Sequence, residues 1–449
     1  MRARLRNMLR SLFNSVHYTA FWGILTLLLV ASACNNQPEA RKAQQQEGEN
    51  IAYDANNGSI TLPKGFEAFV VADNIGRARH IAVRDNGDIY VALQEKHDGH
   101  GIVALRDTTG DGRADIIRYF GDDTGTGIGL RNGYLYFAPN TMVYRYPLAD
   151  DELVPSKDYE VVAEGFPVQH QHAVKPFSFD GQGNMYVNVG APSNACQEQD
   201  RTQGSPGQDP CPLLKEHGGI WQFSADKLNQ DQMKDGHRYA TGIRNAVANA
   251  WNPVSNKLYV VQHGRDQLHQ LFPDLFTIEQ SAELPAEEFF LVEDGDNFGW
   301  PYTYYDWKKE KKVLAPEYGG DGDKVGRADE CKDPIMAFPG HWAPNDLLFY
   351  TANQFPNEYD NGAFIAFHGS WNRAPKVQKG YKVVFVPFDG ALPSGDYQTF
   401  ADGFAGTDSL QSPGNAEYRP MGLAQGPDGS LYISDSVEGR IWRVMYTGK

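Results

Sequence analysis

Short stretches of alternating apolar and polar residues, typical of β-strands, make up most of the chain. The repeated unit is an apolar pair, a turn with Gly or Asn, and a strand in which a Tyr lies among aliphatic residues. Such units lie at 79–94, 175–190, 249–264 and 421–436, and a related one lies at 127–140. Gly or Asn supplies the positive φ that a tight hairpin turn requires. Each unit therefore predicts a β-hairpin.

Further strand-like segments follow most of these hairpins. They lie at 101–107, 141–148, 218–225, 380–388 and 439–446. Units of two to four strands that recur at intervals of roughly 40 to 90 residues are typical of radially repeated blades, and helical periodicity is scarce. The sequence thus predicts an all-β fold, a six-bladed β-propeller of four-stranded antiparallel blades over residues 58–449. A pair of β-sandwiches is the alternative, because the spacing of the units is uneven.

The stretch 240–265 has polar residues on both sides of one predicted strand. Arg244 and Asn245 come before the strand, and His263-Gly264-Arg265 follow it. Polar residues on loops that a rigid sheet holds in place often carry function. This stretch is therefore the first candidate for a functional site.

The composition indicates an ordinary folded protein with an acidic surface. The chain of 449 residues is 41% hydrophobic and 22% charged, and its net charge is −16. Binding to the phosphates of nucleic acid requires a basic face, which this balance does not supply. Nucleic acid is therefore not expected as a partner.

The first 33 residues have the pattern of an export signal. Four arginines precede the apolar segment 20–30, and small residues come directly before Cys34. The order resembles a bacterial lipoprotein signal, in which lipid is placed on the Cys34 thiol. A membrane anchor and an ordinary cleaved signal are the alternatives. Residues 34–57 are polar and predict a flexible tether. We expect a bacterial cell-envelope protein, held by its lipid alone on the periplasmic or the outer-surface face.

Three cysteines follow Cys34. Cys196 and Cys211 flank a loop rich in Gly, Pro and Gln, and disulfides persist in exported proteins. We predict that these two cysteines pair. Cys331 is then a single thiol, for which burial is the expected state.

A set of motifs in this order resembles the glucose/sorbosone dehydrogenase family. The motifs are LPKGFEAFVVADNIGRARHIAV at 62–83, HAVKPFSFDGQGNMYVNVGAPSNAC at 172–196, GIRNAVANAWNP at 242–253, NFGWP at 297–301, HWAP at 341–344, FHGSWNR at 367–373 and YRPMGLAQGPDGSLYISD at 418–435. Together they cover nearly all of the chain after the tether. The resemblance implies a six-bladed propeller that oxidises sugars with pyrroloquinoline quinone and calcium.

Oxidation of a sugar hydroxyl by hydride transfer needs a base for the O–H proton, and positive charge where the acceptor becomes negative. His172 suits the base, and the resemblance supports it, because the family's catalytic His stands a few residues before a basic residue, here Lys175. His170 is the alternative base. The resemblance assigns Arg244 to the quinone oxygen and Asn245 to a contact with the cofactor.

Further basic and aromatic residues are candidates for holding the cofactor. Guanidinium groups suit a cofactor with several carboxylates, and the candidates are Arg419, Arg79 and Arg373. Flat side chains suit stacking on a quinone, and the candidates are Trp371, Trp300 and Tyr302. Asn372 stands where some relatives have a cofactor-binding Lys.

Calcium is expected at two places. The resemblance assigns the catalytic ion to the backbone carbonyls of Gly264 and Arg265, since calcium prefers oxygen ligands; Pro is usual at the second position. A second site is predicted at the carboxylates that flank Gly112, which are Asp107, Asp111 and Asp115. An acidic turn without metal is the alternative reading of that loop.

Together these features predict the quinone-dependent oxidation of an aldose or sugar aldehyde. Its electrons would pass to an external quinone or cytochrome, because the sequence has no C-x-x-C-H haem motif. One alternative is a surface-tethered, carbohydrate-binding or scaffold propeller without cofactor, which the departures at Val247, Arg265 and Asn372 favour. Another is a calcium-dependent lactone hydrolase.

Overall fold

The structure is a computed structural model, and it describes residues 51–449. The predicted signal, the lipidation site Cys34 and most of the tether lie outside the described residues. Ala52–Lys449 forms one compact unit. Asp54 accepts a hydrogen bond from the backbone N–H of Val70 at 2.8 Å. The folded unit therefore begins a few residues before the predicted boundary at 58.

Thirty β-strands account for most of the secondary structure of the described residues. They are β1 (Phe66–Ala72), β2 (Ala78–Val83), β3 (Ile89–His97), β4 (His100–Arg106), β5 (Ile116–Phe120), β6 (Gly127–Arg131), β7 (Tyr134–Ala138), β8 (Val143–Pro147), β9 (Glu160–Glu164), β10 (Phe177–Phe179), β11 (Asn184–Val189), β12 (Gly219–Ser224), β13 (Gln230–Asp231), β14 (His237–Thr241), β15 (Ala248–Asn252), β16 (Lys257–Gln262), β17 (Glu287–Val292), β18 (Asp296–Asn297), β19 (Thr303–Asp306), β20 (Lys311–Leu314), β21 (Met336–Phe338), β22 (Pro344–Phe349), β23 (Ala363–Phe367), β24 (Lys382–Val386), β25 (Phe388–Asp389), β26 (Leu392–Pro393), β27 (Gln398–Ala401), β28 (Pro420–Gln425), β29 (Leu431–Asp435) and β30 (Ile441–Tyr446).

The helices are few and short. They are α1 (Leu268–Leu271), α2 (Ile278–Glu283) and the 3-10 helices Pro212–Lys215, Pro316–Tyr318, Gly326–Glu330, Asn357–Tyr359 and Pro413–Asn415. Thr277 and Gln280 form a reciprocal capping box at the start of α2. Among the described helices, none has the length and apolar character needed to cross a membrane.

Six four-stranded antiparallel blades form the fold. In chain order their strands are β2-β3-β4-β5, β6-β7-β8-β9, β10-β11-β12-β14, β15-β16-β17-β21, β22-β23-β24-β27 and β28-β29-β30-β1. The short strands β13 and β18 add in parallel to β9 and β14, and β19-β20 and β25-β26 are separate hairpins. The first strand of each blade contacts the first strand of the next blade, so these six inner strands surround one axis. The predicted six-bladed propeller is confirmed.

The hairpins arise from the turn chemistry that the sequence predicted. Positive φ occurs at the turn residues Gly87, Gly183, Asn256 and Gly429, one in each of the four clear units. In the second unit, the Asp180 carboxylate accepts hydrogen bonds at 2.8 Å from the backbone N–H groups of both Gln182 and Asn184. The turn is therefore stabilised by its own side chain.

Large side chains fill the space between adjacent blades. Between the last two blades the cluster includes Phe66, Tyr359, Phe364, Phe385 and Phe400. Their rings pack edge to face, tilted or stacked, which suits aromatic quadrupoles. The core of the fold is therefore a series of interfaces between sheets.

The predicted disulfide is confirmed, and the third described cysteine is less buried than expected. Cys196 and Cys211 form a disulfide with a Cα–Cα distance of 6.2 Å, and both are buried. In the described part of the chain, Cys331 is the single free thiol; it is half-buried, and burial raises its pKa.

Ring closure depends on the pairing of β1 with β30. The register runs from Phe66 opposite Tyr446 to Val70 opposite Trp442. The fully buried Trp442 indole also donates to the Gly58 carbonyl at 2.9 Å. The N-terminal strand thus completes the C-terminal blade as its outermost strand and joins the two ends of the described chain in one sheet.

Removal of residues 1–72 should prevent stable folding, because the last blade then has an unpaired edge at β30 and the aromatic cluster loses Phe66. We expect loss of the cooperative melting transition in circular dichroism. A chain that begins at Ile51 is the control and should melt at the temperature of the full chain. Equal melting of both truncated chains would contradict the role of β1.

Candidate active site

A cavity of about 250 Å³ lies where neighbouring inner strands begin. Its walls come from the segments before β10, β15, β22 and β28 and from the loops after β16 and β23. Because these inner strands are adjacent around the axis, residues far apart in sequence meet here. The lining residues are His172, Arg244, His263, Gly264, Asp266, Glu287, His341, Ala343, Asn345, His368, Gly369, Ser370, Trp371, Asn372 and Arg419.

The structure places His172, and not His170, in the cavity. The side chain of His170 is exposed and does not belong to the lining. The His172 Nδ1 lies 2.6 Å from the Ala191 carbonyl, which only accepts hydrogen bonds, so Nδ1 carries the proton. Burial, and then the charge of Arg244, lower the pKa of His172 to about 3. The ring is therefore neutral near pH 7, with Nε2 free to accept a proton.

The loop around His172 is held from several sides. His172 has a positive φ of 51°, a strained conformation for a residue with a side chain. The Gln169 amide donates to the carbonyls of Gln171, His172 and Gly190 at 2.7 to 3.0 Å. A Cβ at Gly190 would lie 2.7 Å from the His172 Cβ. Glycine at 190 therefore allows the close packing that fixes His172.

Arg244 is buried and bonded on every nitrogen. It donates to the Asn194 carbonyl and side chain at 3.2 Å, to the Gly264 carbonyl at 2.9 Å, and to Asp266 at 2.7 Å. Burial alone would raise the pKa of Asp266, but Arg244 and Arg201 outweigh it and lower that pKa. Asp266 is therefore charged, and it orients Arg244 at the cavity wall.

Asn245 lies beneath the cavity and is not part of its lining. Its Oδ1 accepts a hydrogen bond from Asn188 at 3.1 Å, and a Cβ at Gly190 would lie 2.7 Å from the same oxygen. Gly190 thus packs between His172 and Asn245, and the contact of Asn245 with a cofactor stays a prediction. Val247, which replaces a polar residue expected there, is buried in the core.

Arg419 lines the cavity, and Arg79, which is not part of the lining, lies close enough to be repelled by it. Arg419 donates to the carbonyls of His368 at 3.1 Å and Gly369 at 2.6 Å, and Arg79 donates to the Thr126 hydroxyl at 3.0 Å. Among the described residues neither guanidinium is paired with a carboxylate. Burial, followed by repulsion from Arg419 and Arg77, lowers the pKa of Arg79 to about 10. These two arginines carry positive charge that the protein itself does not compensate.

Arg373 does not join these two arginines. Its guanidinium is buried against α2, where it bonds to the Ala282 carbonyl and the Glu283 carboxylate at 2.6 Å. Asn372, which stands where some relatives have a Lys, lines the cavity. Its side-chain amide donates to Asp266 at 2.5 Å, and its Oδ1 has no hydrogen-bond partner. Arg373 therefore fixes the segment that carries Asn372.

The three aromatic candidates lie in different surroundings. Trp371 lines the cavity with 52% of its surface exposed. Trp300 is buried beside the disulfide and donates to the Asn194 carbonyl at 3.0 Å. The Tyr302 hydroxyl accepts a hydrogen bond from the Cys211 N–H at 2.8 Å. Only Trp371, of these three, belongs to the cavity lining.

The predicted calcium loop is held by charges on both sides. The Gly264 N–H donates to Glu287 at 2.8 Å, and the Gly264 carbonyl accepts from Arg244. Arg265 replaces the usual Pro, and its guanidinium bonds to both oxygens of the buried Glu317 at 2.5 and 2.6 Å. The departure at 265 is therefore matched by an acid on the 3-10 helix Pro316–Tyr318.

The second predicted calcium site lies in a turn whose carboxylates bond to its own backbone. Its carboxylates accept hydrogen bonds from the turn's own backbone, as Asp107 does from Gly110 at 2.8 Å, Asp111 from Arg113 at 2.9 Å and Asp115 from Thr108 at 2.7 Å. Over residues 51–449, no three His, Cys, Asp or Glu side chains are grouped to hold a metal ion. The turn is thus stabilised by hydrogen bonds, because each carboxylate faces backbone N–H groups.

Besides Asp266, sequence reasoning gave no chemical role to four titratable residues of the lining, of which His263 lay in the first candidate stretch. Three are histidines anchored through Nε2: His263 to the Pro344 carbonyl at 2.8 Å, His341 to the Ser281 carbonyl at 2.8 Å, and His368 to the Ser436 hydroxyl at 2.6 Å. Burial lowers the pKa of all three. The fourth is Glu287, whose pKa burial raises to about 7. The sequence did contain a signal for Glu287, because an acidic residue among the apolar residues of β17 indicates a buried carboxylate.

Comparison with known proteins identifies the family and the fold. A family profile described as TrAA12-like matches residues 60–447. The pyrroloquinoline quinone-dependent pyranose dehydrogenase of Coprinopsis cinerea is 27% identical over 278 residues, 53% of this chain and 36% of that protein. Aldose sugar dehydrogenase YliI of Escherichia coli is 23% identical over 67% of each chain. The structure of a Trichoderma reesei family AA12 carbohydrate-active enzyme superposes with a TM-score of 0.71, at 18% identity over 88% of this chain and 98% of that one.

These matches confirm the resemblance to quinone-dependent sugar dehydrogenases that the motifs indicated. The chain spans under half the length of two of the curated relatives it matches. The structural likeness, at low identity, shows the shared propeller fold.

Replacement of Glu317 by Gln should lower the free energy of unfolding by about 3–5 kcal/mol, because it leaves Arg265 buried without a counter-charge. Chemical denaturation measures the change. The double variant Arg265→Met/Glu317→Leu should recover most of the loss. Asp209→Asn, which removes the exposed pair with Arg327, is the control and should cost under about 1 kcal/mol. Equal losses for Glu317→Gln and Asp209→Asn would contradict the role of the buried pair.

Proposed function

Because the chain belongs to the TrAA12-like family, we propose that its cavity binds pyrroloquinoline quinone and that the protein oxidises an aldose or a sugar aldehyde. One relative is a pyrroloquinoline quinone-dependent pyranose dehydrogenase, and another is an aldose sugar dehydrogenase. The observation that supports the proposal most strongly is one cavity that joins the neutral His172 to Arg419, which has no carboxylate partner and has Arg79 beside it.

The residues of the cavity fit an anionic, planar cofactor. Arg79 and Arg419 offer two guanidinium groups without carboxylate partners, which suits a ligand with several carboxylates. The lining also has two buried acceptors without donors, the Oδ1 atoms of Asn345 and Asn372. Groups of this kind are rare in a folded protein and indicate a missing partner.

His172 is the proposed base. When bound, the quinone supplies the acceptor for the hydride that leaves the sugar carbon. The Nε2 of His172 takes the proton of the sugar hydroxyl, since Nδ1 is bonded to the Ala191 carbonyl. Arg244 places positive charge in the same cavity, where it stabilises negative charge that develops during the reaction.

Calcium is also part of the proposal. Hard cations prefer oxygen ligands, and the cavity offers the Gly264 carbonyl together with the carboxylates of Asp266 and Glu287. The carbonyls of Gly264 and Arg265 would hold the ion. Burial raises the pKa of Glu287, and a cation bound beside it would favour its charged form.

We further propose that the protein works in the cell envelope, anchored by lipid on Cys34, and passes its electrons to an external quinone or cytochrome. The buried disulfide supports an exported location. In membrane fractions, Cys34→Ala should move the protein to the soluble fraction. Continued membrane association of this variant would contradict the lipid anchor.

The activity is tested by adding pyrroloquinoline quinone and calcium to the purified protein and measuring dye reduction with a panel of aldoses and sorbosone. His172→Gln should lower kcat by about 10²- to 10⁴-fold, because it removes the base. His170→Gln is the control and should leave kcat unchanged. Binding of sugar with no quinone binding and no dye reduction would favour the cofactor-free, carbohydrate-binding propeller instead.

The role of Arg79 and Arg419 is tested by measuring quinone affinity with equilibrium dialysis. Arg79→Met and Arg419→Met should each weaken binding about 10- to 100-fold, as expected for the loss of a charge-assisted hydrogen bond. Arg118→Met, on the exposed face of β5, should have no effect. Unchanged affinity in both the Arg79 and the Arg419 variant would place the cofactor elsewhere.

A further inference from the structure

Arg201 connects the disulfide-closed loop to the cavity wall. It lies between Cys196 and Cys211, with a positive φ of 54°. Its guanidinium donates to Asp266 at 2.8 Å and to the Gln267 side chain at 2.7 Å. Arg201 is not itself part of the cavity lining, so any effect on the cavity must pass through these partners.

Asp266 is shared between two arginines. Its Oδ2 accepts from Arg244 at 2.7 Å and from Arg201 at 2.8 Å. With Arg244 alone, Asp266 would form a neutral pair, and this wall of the cavity would have no net charge. With Arg201 added, the group of three carries one positive charge, which Asp200, 3.9 Å from the Arg201 Nε and outside the cavity lining, offsets only in part because both side chains are partly exposed. The side chain of Asp266 is 12% exposed and that of Arg244 is 3% exposed, so the solvent screens these charges weakly.

The same residue also reaches the loop of the proposed base. Arg201 donates to the Gln171 Oε1 at 3.1 Å, and the neighbouring Asp200 accepts from the Gln171 amide at 2.9 Å. Both ends of the Gln171 side chain are therefore held by the disulfide-closed loop. Gln171 directly precedes His172.

We propose that Arg201 is a positioning residue that keeps the Arg244–Asp266 wall cationic and thereby sets the affinity of the cavity for a polycarboxylate ligand. The identity of that ligand as pyrroloquinoline quinone rests on the proposed function. Arg201 acts by offsetting the charge of Asp266, so that Arg244 keeps a net positive charge toward the cavity.

The test is a double-variant cycle of Arg201 and Asp266. If net charge sets the quinone affinity, the double variant should recover what Arg201→Met loses, whereas if local contacts set it, the double variant should bind more weakly still. Arg201→Met makes the group neutral, Asp266→Asn gives it two positive charges, and the double variant returns it to one. Quinone dissociation constants are measured by equilibrium dialysis at fixed ionic strength in calcium-free buffer, so that only the side chains set the charge of the group. Arg201→Met should bind about 10-fold more weakly, Asp266→Asn at least as tightly as the unmodified protein, and the double variant within about threefold of it.

Two further variants separate charge from structure. Arg201→Lys keeps the charge and should stay within about threefold of the unmodified protein. Arg131→Met removes an arginine of similar partial exposure that pairs with Asp226, and it should have no effect. The loss in Arg201→Met should also shrink as salt rises, because screening weakens the charge it removes.

A double variant that binds more weakly than Arg201→Met would overturn the proposal, because only lost contacts would explain it. The cycle is repeated with citrate, a tricarboxylate without quinone chemistry. If citrate follows the expected order and the quinone does not bind, the charge inference stands and the proposed function fails. If the unmodified protein binds neither probe, the inference fails as well.

Discussion

The pairing of β1 with β30 is the interaction on which the site depends. It closes the ring and brings the first and last blades together, so that Arg79 from β2 lies beside Arg419, which lines the cavity before β28. The Ser434 hydroxyl donates to the Arg79 carbonyl at 2.7 Å across this junction. Two arginines that are 340 positions apart in the chain thus act as one patch of charge because a single strand pair completes the circle.

The parts of the fold that rest on local chemistry could be predicted from the sequence. The turns at Gly87 and Gly183 need positive φ, which glycine allows. The alternation of apolar and polar residues on either side of these turns indicates strands, so the blades could be predicted. His172, Arg244 and Arg419 could be found for a related reason, since each comes shortly before an inner strand. Residues at that position reach the axis whatever their partners are.

What could not be predicted depends on partners distant in sequence. Arg373 has the same charge as Arg419, but Glu283, 90 positions away, turns it toward α2. From the sequence alone, Arg265 was an unexplained departure from the Pro that is usual in the metal loop. The structure shows that Glu317 supplies its counter-charge. The sequence gives the charge of each side chain. The direction in which the side chain points depends on packing between separate blades and insertions.

The hydrogen bond from His172 to the Ala191 carbonyl determines which ring nitrogen of His172 is left to accept a proton. In many sites a second side chain selects the tautomer of a histidine, and a mutation there changes which nitrogen carries the proton. Here the selecting atom belongs to the main chain just after β11. Every amino acid at position 191 keeps that carbonyl. The tautomer of His172 is thus a property of backbone geometry, insensitive to the identity of the neighbouring side chain.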